Sequence, residues 1–262
     1  MLTVSSELIQ SWVLGLLLPL TRIMAMIALM PVLGHRSIPN RTKIGLGVFI
    51  TLIVMPTLPV ITPIDIFSWG GLVIIAQQII IGLSIGFIMQ MVFAAVDLAG
   101  QLIGATMGLG FATFFDPQSR GQTVVLNQFL VVLASLIFIS MNGHLILISS
   151  VVESFNTMPI SQISAHGQAN TQAFAIAKWA EHIFSAGLLM ALPAITALLI
   201  TNMALGILTR AAPQLNLFGI GLPVTLAMGI MILSLTLPNM MQPMMRLIQS
   251  GMSASTSLLN LP

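Results

Sequence analysis

Residues 100–117 read Gly100-Gln-Leu-Ile-Gly104-Ala-Thr-Met-Gly108-Leu-Gly110-Phe111-Ala-Thr-Phe114-Phe115-Asp116-Pro117. Gly100, Gly104 and Gly108 recur every fourth residue, so on a helix they share one face and leave it without side chains. In a membrane such a face lets a second helix approach closely, because helix association there depends on tight packing. The spacing therefore predicts a helix-packing stripe formed by these three glycines.

The second half of this segment cannot continue the helix. Gly110 weakens a helix, and Pro117 disfavours helical dihedral angles at Asp116. Irregular backbone at membrane depth is tolerated only where protein buries it or where it lines a water-filled cavity. The segment is therefore a candidate constriction of a passage, and its aromatic residues are Phe111, Phe114 and Phe115.

The composition of the whole chain is that of an integral membrane protein. Hydrophobic residues make up 57% of the 262 residues and charged residues only 5%, whereas a soluble domain carries about a quarter charged residues. The formal net charge of +2 gives no sign of nucleic-acid binding, since no basic run with interleaved aromatic residues accompanies it. The absence of cysteine excludes disulfides and thiolate metal sites.

Six apolar stretches are long enough to cross a membrane as helices, which takes roughly twenty residues. The second stretch ends in three prolines and must break there, and the short segment 209–214 forces the last two into an antiparallel hairpin. We therefore predict an all-α membrane protein with about six long apolar helices, several broken by proline or glycine, and a C-terminal antiparallel helical hairpin. The stretches comprise residues 12–33, 44–64, 69–99, 123–149, 183–208 and 215–237.

Two charged residues, Arg22 and Asp97, lie within these apolar stretches. An ionisable residue at membrane depth is a functional candidate by default, although Arg22 also suits a packing role with a carboxylate or carbonyl on a neighbouring helix. Asp97 could pair with Arg22, bind exposed backbone, or face water in a channel. We predict that Arg22 and Asp97 form a pair across two helices.

The sequence offers little support for catalysis. Gly82-Leu-Ser84-Ile-Gly86 fits the G-x-S-x-G pattern of a serine nucleophile, but that motif needs a strand–turn–helix context and the surroundings here are helical. Close helix packing is the better explanation of Gly82 and Gly86. No phosphate-binding loop and no pair of histidines at metal-ligand spacing is present in the sequence. We therefore expect no enzymatic activity and no cofactor or metal.

Four motifs together resemble the FliR family, the inner-membrane component of the bacterial flagellar export gate, which is related to the SctT proteins of virulence type III secretion. The likeness runs from about the first apolar stretch to about Pro238, and the motifs keep their order. They are Arg36-Ser-Ile-Pro39 before Lys43-Ile-Gly-Leu-Gly47, Gly108-Leu-Gly-Phe-Ala-Thr-Phe-Phe-Asp-Pro117, Asn142-Gly-His-Leu145 and Ala212-Pro-Gln-Leu215.

The resemblance implies a single helical gate subunit in the bacterial inner membrane at the flagellar basal body. Such a subunit assembles with FliP- and FliQ-like proteins, and with an FlhB-like protein, around a pore for unfolded flagellar proteins. Residues 1–180 would be FliP-like, 181–238 a FliQ-like hairpin, and 239–262 a tail.

The resemblance also implies that the loop at about 106–122 projects into the pore as a plug. We assign the seal to Phe111 and Phe114 with Met107, and the turn that presents them to Asp116-Pro117. The alternative is that these rings fill the core of the assembly. The full set of predicted plug residues is Met107, Gly110, Phe111, Phe114, Phe115, Asp116 and Pro117.

A stand-alone secondary transporter is the alternative function, with Arg22 and Asp97 forming a site at the membrane midplane. Transporters of this kind usually contain repeated halves with broken helices at matching places. The second half of this sequence has no counterpart of Gly108–Pro117, and no internal repeat is evident. The export gate is therefore the favoured interpretation.

Overall fold

The computed structural model describes residues 6–58, 68–111, 125–160, 166–212 and 221–258, with side chains except at 6–11, 111 and 166–172. Within these ranges all regular secondary structure is helical, and short 3-10 turns follow α2 and α3 at Met55–Thr57 and Leu109–Phe111. The predicted all-α class is confirmed. The helices are α1 (Ser6–Leu29), α2 (Asn40–Val54), α3 (Trp69–Thr106), α4 (Val125–Ser140), α5 (Gly143–Thr157), α6 (His166–Trp179), α7 (Glu181–Ala211) and α8 (Leu222–Ser257).

In the part of the chain that the structure describes, fewer helices than the predicted six are long and apolar enough to cross a membrane. Among the described residues, four segments are long and apolar enough to cross a membrane: Trp12–Leu29, Trp69–Thr106, Ala173–Ala211 and Leu222–Ser257. Helices α4 and α5 count as a fifth only if they form one span, and they meet at a bend of 64°. Helix α2 has only 15 residues and ends directly before the turn that contains Pro56.

The break between α4 and α5 has a local cause. Asn142 adopts a left-handed conformation with φ 55°, which asparagine tolerates better than most residues. Its backbone N–H donates to the carbonyl of Ile139, and its own carbonyl accepts from the N–H groups of Leu145 and Ile146. One helix therefore ends and the next begins at this residue, in the predicted Asn142–Leu145 motif.

The chain forms two compact units. The first contains residues 1–90, 139–180 and 250–262, and the second contains residues 91–138 and 181–249. Helix α3 contributes its first part to one unit and its last part to the other. The division at residue 180 that we predicted rests on likeness to other subunits, and it stays a prediction.

In the first unit, α3 lies against α1 through two glycines. A Cβ atom added at Gly82 would lie 2.9 Å from the Cβ of Ala25, and one added at Gly86 would lie 2.8 Å from the carbonyl oxygen of Met26. The hydroxyl of Ser84 donates to the carbonyl of Ile80 within the same helix, at 2.8 Å. The packing interpretation of the G-x-S-x-G pattern is therefore confirmed.

In the second unit, three helices pack around the C-terminal part of α3. Helix α4 runs antiparallel to it, since Asn127 lies beside Gly100 while the Phe138 ring meets that of Phe93 edge-on, with centroids 5.9 Å apart. Helix α7 approaches at Gly187, where a Cβ would lie 2.8 Å from the carbonyl oxygen of Ala95. Helix α8 contacts the end of α3, where Gly229 lies against the side chain of Met107.

Candidate functional site

Helix α3 ends in a left-handed turn at Gly108. The N–H of Met107 still donates to the carbonyl of Ile103, whereas the N–H of Gly108 donates to Ala105 and its φ is 80°. Glycine is favoured at this position after a helix, because an L side chain there is strained. Gly108 thus lies beyond the last helical residue, Thr106, and its predicted place in a helical packing stripe is corrected to a turn that ends the helix.

Side chains from α7 and α8 hold the end of α3. The amide of Asn202 donates to the carbonyl of Thr106 at 3.1 Å. The hydroxyl of Thr225 donates to the carbonyl of Leu222 in its own helix at 2.9 Å and lies 3.4 Å from the carbonyl of Met107. The carbonyls at the end of a helix lack intrahelical donors, so the bond from Asn202 stabilises the turn, and Thr225 packs beside it. The segment after Gly108 therefore starts from a fixed base.

Met107 belongs to this base. Its side chain is 3% exposed, and a Cβ added at Gly229 of α8 would lie 2.6 Å from its Cγ. From the sequence, Met107 is assigned to the seal together with Phe111 and Phe114. The structure instead shows a buried thioether that anchors α3 to α8.

The predicted plug is described only at its start. Leu109–Phe111 form a short 3-10 turn, and a Cβ added at Gly110 would meet nothing within 4 Å. The side chain of Phe111 and the whole of Phe114, Phe115, Asp116 and Pro117 lie outside the described residues. The assignment of the seal to these residues stays a prediction.

The other two glycines of the predicted stripe lie within α3, and both are buried. Gly100 faces the backbone of α4, since a Cβ there would lie 2.7 Å from the Cβ of Asn127 and 3.0 Å from its backbone nitrogen. Such distances leave no room for any side chain, so α4 can lie where it does only because residue 100 is glycine. Gly104 occupies the next turn on the same face.

Replacing Gly100 by alanine is expected to reduce the yield of folded protein several-fold, since moving α4 aside costs about 1–3 kcal/mol. Gly206→Ala on α7 is the matched control, because a Cβ there meets nothing within 4 Å and alanine favours the helix by about 1 kcal/mol. The yield of monodisperse protein after detergent extraction measures both variants. Equal yields for the two would contradict the close packing at Gly100.

Arg22 is completely buried in the first unit, at 0% exposure. Its Nε donates to Oε1 of Gln78 at 2.8 Å, its Nη1 to the carbonyl and hydroxyl of Ser154 at 2.8 and 2.9 Å, and its Nη2 to the carbonyl of Met158 at 2.9 Å. The guanidinium also lies 4.3 Å from the centre of the Phe155 ring.

The end of α5 compensates the charge of Arg22. Ser154 lies in the last turn of α5 and Met158 is its C-terminal cap residue, so both carbonyls belong to the negative end of the helix dipole. Basic side chains commonly bind such carbonyls. Of the partners considered for Arg22, a carbonyl on a neighbouring helix is therefore the one observed, and its role is to join α1, α3 and α5.

Asp97 has a different set of partners, in the second unit. Its Oδ1 accepts from the amide of Asn127 and its Oδ2 from the amide of Gln101, both at 2.6 Å. The predicted pairing of Arg22 with Asp97 is therefore wrong. The physical reason is that helix-end carbonyls and side-chain amides satisfy these charges without an oppositely charged partner.

Sequence reasoning missed the neutral partners at these sites. The only signal for them was a polar residue within an apolar helix, which does not say what that residue binds. Among the described residues, no group of three histidine, aspartate or glutamate side chains could hold a metal ion. The missed residues are Gln78, Asn127, Ser154, Asn202 and Thr225.

Comparison with known proteins adds independent evidence. A family model described as "Bacterial export proteins, family 1" matches residues 13–251. Relatives called flagellar biosynthetic protein FliR are 48% identical over 238 residues in Pectobacterium carotovorum subsp. carotovorum and 46% identical over 240 residues in Escherichia coli (strain K12), each match covering 91% of this chain and 90% of the relative. The FliR protein of Bacillus subtilis (strain 168) is 31% identical over 217 residues, or 83% of either chain.

Proposed function

This chain belongs to the family of bacterial export proteins, family 1, and from that premise we propose that it is a non-enzymatic subunit of the flagellar type III protein export gate. In this proposal it forms a pore for unfolded flagellar proteins together with FliP- and FliQ-like subunits, next to an FlhB-like protein. The gate lies in the bacterial inner membrane at the flagellar basal body. The apolar helices support a membrane location, and the FliR relatives support a flagellar export component.

The observation that carries the proposal is the anchored turn at the end of α3. A plug must be attached firmly at its base and displaced easily at its tip. Asn202 binds the base, Gly108 turns the chain away from the helix, and a Cβ added at Gly110 would meet nothing within 4 Å. The phenylalanine-rich sequence starts at this point.

The sequence of the loop suits closure of a narrow passage. Aromatic side chains exclude water by dewetting a constriction, which blocks ions and small solutes without strong bonds to the wall. We assign this seal to Phe111 and Phe114, with Phe115 beside them and Asp116-Pro117 shaping the turn. Met107 remains part of the anchored base.

Exposed apolar side chains support a role as one subunit among several. Large apolar residues on α7 and α8 are exposed, with Met203 at 71% and Leu235 at 69%. Surfaces of this kind lie against lipid or against other subunits. In the proposed assembly the FliP-like part is residues 1–180, the FliQ-like hairpin is 181–238, and the tail is 239–262.

The transporter alternative receives no support from the site. A transport site at the membrane midplane needs polar groups that are open to a substrate. The side chain of Arg22 is instead buried and bonded to Gln78, Ser154 and Met158. We therefore retain the gate as the proposed function.

Affinity purification from membranes of a flagellated host tests the proposal. A tagged full-length chain, extracted in mild detergent, is expected to carry FliP- and FliQ-like proteins with it in a fixed ratio through size-exclusion chromatography. An unrelated tagged membrane protein from the same host is the control for non-specific capture. Purification of the chain alone, as a monomer or homo-oligomer, would contradict the proposed function and favour a transporter.

A further inference from the structure

The exposed face of α3 changes character along the helix. In its first part, up to residue 87, the exposed side chains include large apolar ones that suit contact with lipid or with an apolar subunit surface. They are Leu72, Ile79, Ile80 and Phe87. Gln90 is the first exposed polar residue after them.

In the later part of α3 the exposed side chains are small or polar, and Leu98 and Leu102 are half-exposed. Ala94, Asp97, Gln101 and Ala105 are spaced by three or four residues, so they lie on one side of the helix, and we call this set the polar face. Gln101 and Ala105 are exposed, while Ala94 and Asp97 are half-exposed. Among the described residues of α3 after Phe87, no large apolar side chain is exposed.

A polar face with a carboxylate cannot lie against lipid. Aspartate within membrane segments is costly and faces the interior of a bundle or a water-filled cavity. The amides of Gln101 and Asn127 donate to the two oxygens of Asp97, which orients the carboxylate and leaves it half-exposed. The face therefore contacts water or polar protein.

The position of the polar face favours water. Its last residue, Ala105, lies three residues before the Gly108 turn from which the proposed plug starts. The side chains at 94 and 105 are small, and the polar groups at 97 and 101 can form hydrogen bonds with water. A passage closed by the loop after residue 108 would run along this face.

We infer that the polar face of α3 lines the water-filled passage, with Asp97 as its fixed negative charge. The inference rests on the proposed function and adds to it a wall that contacts the transported chain. The ligand that such a wall suits is an extended polypeptide, whose backbone amides can exchange hydrogen bonds with Gln101 and with water. Hydrated cations would be favoured over anions beside Asp97.

Cysteine accessibility tests the wall, and the chain contains no cysteine of its own. Gln101→Cys and Ala105→Cys probe the polar face, and Phe87→Cys is the matched control at an exposed apolar position of the same helix. Each full-length variant is assembled in its native membrane and treated, from both sides, with a charged, membrane-impermeant methanethiosulfonate reagent. Both polar-face variants are expected to react about tenfold or more faster than Phe87→Cys, because the reactive thiolate forms only in contact with water.

Two polar-face variants are used because one substitution alone could change the local structure. Gln101→Cys removes a hydrogen bond to Asp97, whereas Ala105→Cys adds only a thiol at an exposed site. If both react as slowly as Phe87→Cys, the inference is overturned. Co-purification of FliP- and FliQ-like proteins is measured on the same membranes, so a failure of the wall and a failure of the proposed function give different results.

Discussion

Deletion of residues 110–116 is expected to leave an assembled complex whose membrane leaks small solutes. The deletion removes the aromatic loop but keeps Thr106, Met107 and Gly108, so the bond from Asn202 to the end of α3 can still form. Without the aromatic constriction, uptake of a small impermeant solute should rise on the order of tenfold or more. Solute uptake by intact cells and co-purification of partner subunits measure the two parts of this result.

Phe111→Ser with Phe114→Ser gives a gentler version of the deletion, and Phe129→Ser on α4 is its control. Phe129 is an exposed phenylalanine outside the loop, so its replacement should leave the barrier intact. If the loop instead fills the core of the assembly, the deletion should abolish the complex. A deletion complex that assembles and keeps an undiminished barrier would rule out the plug.

Replacement of Arg22 by glutamine is expected to abolish assembly. The guanidinium joins three helices. Without it Oε1 of the buried Gln78 side chain loses its hydrogen bond, and Ser154 and Met158 lose their bonds to α1. A buried polar group left unsatisfied costs about 1–3 kcal/mol, which is already a large fraction of the stability of a typical domain, and the bonds that join α1 to α3 and α5 are lost with it. Arg22→Lys should rescue little, because an ammonium group cannot reproduce the planar set of donors.

Arg41→Gln is the matched control for Arg22, since Arg41 is exposed near the start of α2. We expect normal yields of complex from Arg41→Gln and less than about a tenth from Arg22→Gln, measured by quantitative blotting of the purified assembly. A second comparison adds Asp97→Asn. Because Arg22 and Asp97 have separate partners, the losses of complex yield caused by the two substitutions should add. A higher yield from the double variant than from Arg22→Gln alone would indicate that the two residues do form a charge pair.

The sequence alone determined that this is an all-α membrane protein and where some of its helices end. A chain with 57% hydrophobic and 5% charged residues can satisfy its backbone in a membrane only as helices or a closed barrel, and long uninterrupted apolar runs select helices. Pro56 limits α2, because this effect depends on the residue itself and its neighbours in the chain. Gly82 and Gly86 indicated close packing, and the structure shows that α1 is the helix that packs there.

The tertiary structure alone decided the partners of the polar residues. Arg22 binds backbone carbonyls 132 and 136 residues further along the chain. Because every residue has a backbone carbonyl, the residue types in the sequence do not identify which one accepts the bond. Gly100 and Gly108 share a helical spacing, yet one packs against α4 and the other ends α3, because Gly108 lies past the point where the helix stops. Met107 is buried rather than presented to a passage, because α8 brings Gly229 against it. Periodicity specifies the face on which a side chain lies, and only the packing of distant helices specifies what that face meets.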